Sequence, residues 1–179
     1  MAPTSPKDNH NRRLETKVSP VRFDEQEYEV HKSIIALLMG NLFLRHLNFL
    51  YREFDGDLLM PIVLGEIGHH NVNNLYSLQG SCIDFKKQLS LPHDWRGKIC
   101  PTNAFSISAA TGIPRETVRR KIDKLIEKGW IVKTEKGDLT VSDTVSDHFA
   151  KDFNKRTLVE LIETSECLKQ LLGLDENQT

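Results

Sequence analysis

Basic side chains are concentrated between Arg96 and Lys136, where they could neutralise the phosphates of a nucleic acid. This segment has ten Lys and Arg residues against four Asp and Glu residues, a surplus of six positive charges. The whole chain of 179 residues has 24 basic and 25 acidic residues and a net charge of -1, so the remainder carries -7. A basic segment on an acidic protein is typical of proteins that bind nucleic acid through one part of their surface.

Other chemistries have weaker signals. His69 and His70 are neighbours in a helical pattern and point about 100° apart, which is poor geometry for holding one metal ion together. The three cysteines are scattered without a Cys-x-x-Cys pair, which argues against a disulfide framework and a cysteine-based zinc site. The chain also contains no Gly-x-Ser-x-Gly motif and no glycine-rich phosphate-binding loop. We therefore predict a protein that is not an enzyme, has no cofactor or metal, and works in the reducing cytoplasm.

The first half of the chain predicts a polar tail followed by a helical body. Residues 1–22 have almost no apolar side chains and are predicted to be a disordered tail. Residues 23–94 form the predicted body, with one long helix from Asp24 to Asp55–Gly56 and a second from Asp57 to about Leu78. No uninterrupted apolar stretch approaches the roughly 20 residues that span a bilayer, so no membrane association is expected.

The long first helix is apolar on more than one side. Its apolar residues recur at spacings of three, four and seven, and further apolar residues widen this stripe between Ile34 and Leu50. Such a helix needs partners on more than one side. In a chain of this size a second subunit could supply the extra cover, so a homodimer is predicted.

The segment 95–142 is the most informative part of the chain. A short helix (103–111) is followed by the turn Gly112–Ile113–Pro114 and a second helix (115–128) with an apolar stripe and a stop at Gly129. Two helices joined by such a turn indicate a helix-turn-helix. Strands at 130–134 and 139–142, separated by a turn, add a wing.

Residues 143–179 predict a final helical region that contributes to the dimer. Asp143 is a candidate N-cap, residues 154–157 are a candidate kink or break, and the helix is expected to end at Gly173. Together these patterns predict a mainly α-helical protein, a winged helix-turn-helix with long flanking helices that form a dimerisation body.

The sequence SISAATGIPRETVRRKIDKLIEKGWI resembles the DNA-binding segment of bacterial winged helix-turn-helix transcriptional regulators, the broad group that includes the MarR-like and IclR-like families. The resemblance covers about 40 of the 179 residues, and the sequence KTEKGD differs from the MarR-like pattern in being a short wing without arginine. The resemblance implies a homodimer that binds double-stranded DNA and regulates transcription.

The outward-facing residues of this segment give the predicted DNA contacts. A helix in the major groove reads base edges with residues near its N-terminus, whereas other basic side chains hold phosphates. The predicted base-edge residues are Arg115, Glu116, Thr117 and Arg120. The predicted phosphate contacts are Arg119, Lys121, Lys124, Lys133 and Lys136, with Thr102 and Ser106 as additional backbone contacts.

Two alternatives remain open at this point. A winged helix can serve as a protein–protein interaction module that does not touch DNA. A small-molecule effector is also conceivable, because aromatic and apolar residues could line a pocket between the winged segment and the dimer helices, although such residues are more often plain core. The candidate lining residues are Phe49, Tyr51, Phe54, Leu59, Tyr76 and Trp95.

Overall fold

A computed structural model describes residues 23–72 and 99–174. Within these ranges the chain is mainly helical with one small antiparallel sheet of two strands, which confirms the predicted mainly α class. The predicted tail and the end of the second helix near Leu78 lie outside the described residues. In chain order the elements are α1 (Glu25–Glu53), α2 (Leu59–Val72), α3 (Ala104–Thr111), α4 (Arg115–Glu127), β1 (Ile131–Lys133), β2 (Leu139–Val141), α5 (Asp143–Lys151) and α6 (Phe153–Leu171).

Helix α1 begins and ends close to the predicted residues. The Asp24 carboxylate accepts a hydrogen bond from the backbone N–H of Gln26 at 2.7 Å, which satisfies one of the unpaired donors of the first turn. The helix ends at Glu53, with Phe54 as its C-cap. Asp55 and Gly56 follow with φ values of 53° and 84°, a left-handed turn that a helix cannot continue through.

The core of the protein lies among helices α2 to α5 and the two strands, which we call the α2–α5 unit. Apolar residues at helical spacing on α2 and α4 face one another, and α3 closes one side. The end of α1 contributes Phe54, which is 1% exposed. The buried side chains of this core are Phe54, Met60, Val63, Leu64, Ile67, Ile107, Val118, Ile122, Leu125, Ile131, Leu139 and Val145.

Strands β1 and β2 form a hairpin directly after α4. Ile131 pairs with Val141 and Lys133 with Leu139. In the connecting turn, Gly137 has φ 86° and its N–H donates to the Thr134 carbonyl at 2.9 Å. The predicted hairpin is therefore confirmed, with each strand shorter than predicted.

Helix α6 packs antiparallel along α1, and we call these two helices the α1–α6 pair. The rings of Phe49 and Phe153 stack with centroids 4.3 Å apart, and Arg45 lies 4.0 Å from Glu160. The chain breaks between α5 and α6 at Asp152, so the break predicted at 154–157 is slightly misplaced.

Most of α1 is uncovered in a single chain. Ile35 is its one buried residue among the 29 of the helix. By length and composition α1 is also long and apolar enough to cross a membrane, a property that core helices share. The further cover expected for this helix is therefore not supplied by the described residues.

Candidate nucleic-acid interface

Helix α4 is held with one face in the core and the other in solvent. Val118, Ile122 and Leu125 are at most 2% exposed and face α2 and α3. At about 100° per residue, the opposite face carries polar side chains along the whole helix. These outward residues are Glu116, Arg119, Arg120, Asp123, Lys124 and Glu127, all of them exposed.

The turn between α3 and α4 fixes where α4 begins. Gly112 has φ 72°, and its N–H donates to the Ser108 carbonyl at 3.0 Å. The Ser108 hydroxyl donates to the Ile113 carbonyl at 2.7 Å, and the Thr111 hydroxyl accepts from the Ile113 N–H at 3.2 Å. These short-range bonds set the direction in which the first turn of α4 points.

A second set of bonds, which sequence reasoning missed, attaches the hairpin to α2. The Asn71 side chain is 3% exposed, and its amide donates to the carbonyls of Cys100 and Leu139 at 2.9 and 3.1 Å. Its amide oxygen accepts from the N–H of Val141 at 2.9 Å. A polar residue on the apolar face of a predicted helix was the available signal, since such a residue must be hydrogen-bonded when buried.

Three lysines of the α4 segment are paired with the loop between α1 and α2. Lys121 Nζ lies 2.5 Å from Asp57 Oδ2, Lys124 Nζ lies 3.9 Å from the same oxygen, and Lys128 Nζ lies 3.0 Å from Asp55 Oδ2. The Lys121 and Asp57 side chains are 16% and 18% exposed, so this pair is the least solvated of the three. These lysines attach α4 to the end of α1.

The pKa of Asp57 reflects this position. Burial alone would raise the pKa, but the hydrogen bond and charge of Lys121, the N–H of Leu59 and the charge of Lys124 outweigh it and lower the pKa. The carboxylate therefore remains ionised at neutral pH. Lys121, predicted to hold a phosphate, already has a carboxylate partner.

Arg119 also has a partner on its own helix. Its guanidinium makes two hydrogen bonds to the Glu116 carboxylate, at 2.9 and 3.1 Å. The hydrogen bond and the charge of Arg119 lower the pKa of Glu116. Both side chains are exposed, so this pair can open to other partners at little cost.

Four of the predicted contact residues are exposed and make no ion pair or side-chain hydrogen bond with any other described residue. They lie at the start of α4 and on the hairpin. These four are Arg115, Arg120, Lys133 and Lys136.

An open cleft brings α3, α4 and the hairpin together. Its volume is about 260 Å³, and its lining includes Arg115 and Arg119 from α4, Lys133 from β1, and Asn103 and Phe105 from the start of α3. Asn103 caps α3 by accepting from the N–H groups of residues 105 and 106 at 3.0 Å each. Basic groups from two elements therefore border the same cleft.

The remaining predicted contacts are less accessible. Thr117 and Ser106 are half-buried. Thr102 is 3% exposed and pairs through its backbone with Leu139, at 3.2 and 2.8 Å. Pairing with β2 therefore places the Thr102 side chain inside the protein, and its contact with a nucleic acid stays a prediction.

The surplus of positive charge around α4 and the hairpin is smaller in the folded structure than the sequence count of residues 96–136. Arg96 and Lys98 lie outside the described residues, which leaves eight basic against four acidic side chains between 99 and 136. Asp55 and Asp57 from the end of α1 pack against the basic side of α4. The basic side chains of this region that are exposed and make no ion pair lie at the start of α4 and on the hairpin.

The candidate residues of the effector pocket differ in their surroundings. Phe54 is buried in the core, Phe49 stacks on Phe153, and Tyr51 is exposed, whereas Tyr76 and Trp95 lie outside the described residues. In the part of the chain that the structure describes, no three His, Cys, Asp or Glu side chains are grouped as a metal site would require.

Comparison with known proteins adds no relative. No family model matches the chain, and no curated protein or solved structure matches it either.

Proposed function

We propose that the protein is a winged helix-turn-helix transcriptional regulator that binds double-stranded DNA as a homodimer in the cytoplasm. In this proposal α3 and α4 are the helix-turn-helix, α4 is the recognition helix, and the β1–β2 hairpin is the wing. The proposal rests on local geometry and charge, and on the sequence resemblance of residues 106–131.

The observation that carries the proposal is the set of four exposed basic side chains that make no ion pair or side-chain hydrogen bond with another described residue. Arg115 and Arg120 lie in the first two turns of α4, where a recognition helix reaches base edges. Lys133 and Lys136 lie on the hairpin, and Lys133 borders the same cleft as Arg115. Arg120 also feels the charge of Glu116. Basic groups outside an ion pair gain the most from a phosphate or a guanine.

The contacts divide by role. Arg120 is the proposed base-reading residue, because a guanidinium pairs bidentately with the O6 and N7 atoms of guanine. Lys133 and Lys136 would hold phosphates beside the groove, and Ser106, near the N-terminus of α3, would add a backbone contact. Lys121, Lys124 and Lys128 would orient α4 through Asp55 and Asp57, a role different from the phosphate contact expected of Lys121 and Lys124.

Binding to duplex DNA of mixed sequence tests the proposal. The dissociation constant is measured by fluorescence anisotropy over a range of salt concentrations. We expect affinity to fall steeply with salt, and Lys133→Ala and Lys136→Ala each to reduce the slope of log K against log salt by about one.

Arg120→Ala is the sharper variant, and Lys155→Ala, an exposed lysine on α6, is the matched control. On a selected target sequence, loss of a bidentate arginine contact costs about 1–3 kcal/mol, or roughly five- to 150-fold in affinity. Unchanged binding in Arg120→Ala and both hairpin variants, or binding without salt dependence, contradicts the proposal.

A second candidate function is a winged-helix module that binds another protein. It is favoured by the mixed charge of the outward face of α4, which carries three acidic and three basic residues, and by Phe105, which is 66% exposed beside the cleft. Under this alternative, Phe105→Ser would abolish capture of the partner and no duplex DNA would bind even at low salt. Under DNA binding, the same substitution would have a small effect on DNA affinity.

A further inference from the structure

Helix α1 has an apolar face that nothing in the described chain covers. Val30 is 74% exposed, Leu37 61% and Leu44 60%, and the helix extends for about 43 Å at 1.5 Å per residue. Exposed apolar surface of this extent marks a binding surface.

The exposed residues follow the spacing of a coiled coil. Intervals of four and three residues alternate without interruption along α1, so the positions form one seam with the a and d periodicity of a heptad repeat. Every member of the seam is exposed. The seam consists of Val30, Ile34, Leu37, Asn41, Leu44, Asn48 and Tyr51.

Asn41 and Asn48 identify a second copy of the same chain as the partner. They occupy two successive a positions of the seam, whose third a residue is Ile34. In a parallel pair of identical helices, each a residue packs against its own counterpart, so the two asparagines can donate to and accept from each other. A lipid environment would offer these two amides no partner.

The flanking residues favour the parallel orientation. His31, Leu38, Arg45 and Arg52 are at the e positions, and Ser33, Gly40 and Leu47 are at the g positions. A parallel pair places e beside the partner's g, where no like charges meet. An antiparallel pair would place e beside the partner's e, which brings arginines together, and would set each asparagine opposite an apolar d residue.

We propose that two chains associate through their α1 helices, parallel and in register, with layers formed by Asn41 and Asn48 of both copies. This inference rests on the proposed homodimer and names its interface. In such a pair the C-terminal ends of both α1 helices lie at one end of the assembly. Both α2–α5 units, which begin there, could then face one DNA duplex.

Disulfide cross-linking tests the register. Ile34→Cys and Leu44→Cys are made as separate variants, with Met39→Cys as the control, because Met39 is 41% exposed but lies on the opposite side of the helix from the seam. After oxidation, linked peptides are identified by mass spectrometry, so that the native cysteines are distinguished. We expect linkage of residue 34 to residue 34 and of residue 44 to residue 44, and none at 39.

Both links cannot form in an antiparallel pair, because only one residue of a helix can lie opposite itself. Failure of either link therefore contradicts the parallel register. A sedimentation experiment tests the interface itself. We expect Leu37→Glu to convert a dimer to a monomer with unchanged helicity, whereas Leu58→Glu, at an exposed leucine outside the seam, leaves the dimer intact.

The role of the asparagines has its own readout. Replacing both Asn41 and Asn48 with leucine should strengthen association but allow assemblies larger than a dimer, because a polar a residue restricts the oligomeric state at a cost in stability. A strictly dimeric double variant would contradict this role.

If another part of the chain or a lipid surface covers the apolar face of α1, the measurements give different results. A wild-type chain that sediments as a monomer at high concentration contradicts the inference, because another part of the chain must then cover α1. Stable partitioning onto neutral phosphatidylcholine vesicles also contradicts it, in favour of a lipid surface. All of these measurements are made without DNA. A cross-linked dimer that binds no DNA would contradict the proposed DNA binding but not this interface. A DNA-binding monomer would contradict this interface and the homodimer but not DNA binding.

Discussion

The α2–α5 unit and the α1–α6 pair use the same kinds of apolar residue in different ways. The α2–α5 unit, with Phe54, holds a cluster of twelve buried apolar side chains. In the α1–α6 pair, Ile35 of α1 is the one buried apolar residue, and α6 has none. One region folds around its own core, whereas the other presents apolar surface that the described residues leave uncovered.

The comparison also separates two uses of charge. On the side of α4 that faces the end of α1, lysines are paired with Asp55 and Asp57 and hold the helix in place. At the start of α4 and on the hairpin, Arg115, Lys133 and Lys136 make no ion pair with a described acidic residue. A count of charges along the chain cannot distinguish basic residues that position α4 from those left accessible.

The largest effect is expected in the buried core. Leu125 is fully buried, whereas Leu44 is 60% exposed on α1. Leu125→Ala should lower the free energy of unfolding by about 2–5 kcal/mol, because it leaves a cavity as well as losing apolar burial. Leu44→Ala should lower the free energy of unfolding by much less. Urea denaturation measures both variants, at a dilution where the chain is monomeric. Equal costs for the two variants would remove the distinction between the two regions.

The next effect concerns the attachment of the hairpin to α2. Asn71→Ala removes the acceptor of the Val141 N–H and a donor to Leu139, at a cost of about 1–3 kcal/mol. The matched control is Asn154→Ala, at an exposed asparagine on α6. The measurement is the shift in the urea midpoint of each variant. A midpoint in Asn71→Ala as high as in the control would show that the amide is not required.

The smallest effect is expected at Asp57. Asp57→Asn should destabilise the protein by at most about 1 kcal/mol at pH 7, because the pair with Lys121 is near the surface. The folded pKa of Asp57 is lowered, so its contribution is present above the unfolded pKa, near 3.8, and is lost as pH falls through the folded pKa. The difference between wild type and variant should therefore shrink as the pH is lowered below about 4.

Glu135→Gln, on the exposed hairpin turn, controls for the removal of one negative charge. Urea denaturation at neutral and acidic pH measures both variants. A destabilisation by Asp57→Asn that stays constant down to the lowest pH would mean that the ion pair with Lys121 is not its cause.

Local patterns in the sequence predicted most of the fold. The cap at Asp24, the left-handed turn at Gly112 and the stop after α4 each depend on a few neighbouring residues, and the structure has all of them close to the predicted positions. The break between α5 and α6 lies at Asp152, two residues before the predicted range 154–157, because no proline or glycine marks it in the sequence.

The candidate site was predicted less completely, because its geometry depends on contacts between distant residues. The pair of Lys121 with Asp57 joins positions 64 residues apart, and the bond of Asn71 to Leu139 joins positions 68 apart. The pairing of Thr102 with Leu139 also joins positions far apart in sequence, so the burial of Thr102 does not follow from its neighbours. Residue types and helical spacing identify an outward face but not the partners folded against it.

Selection of bound sequences from random duplex DNA by the purified protein tests the central claim most directly. A homodimer with a recognition helix in each copy should enrich an inverted repeat whose half-sites are about 34 Å, or one helical turn, apart, or a multiple of that distance. Arg120→Ala should relax the preference at one base position in each half-site. Enrichment of no sequence at low salt would contradict the assignment of the protein as a DNA-binding regulator.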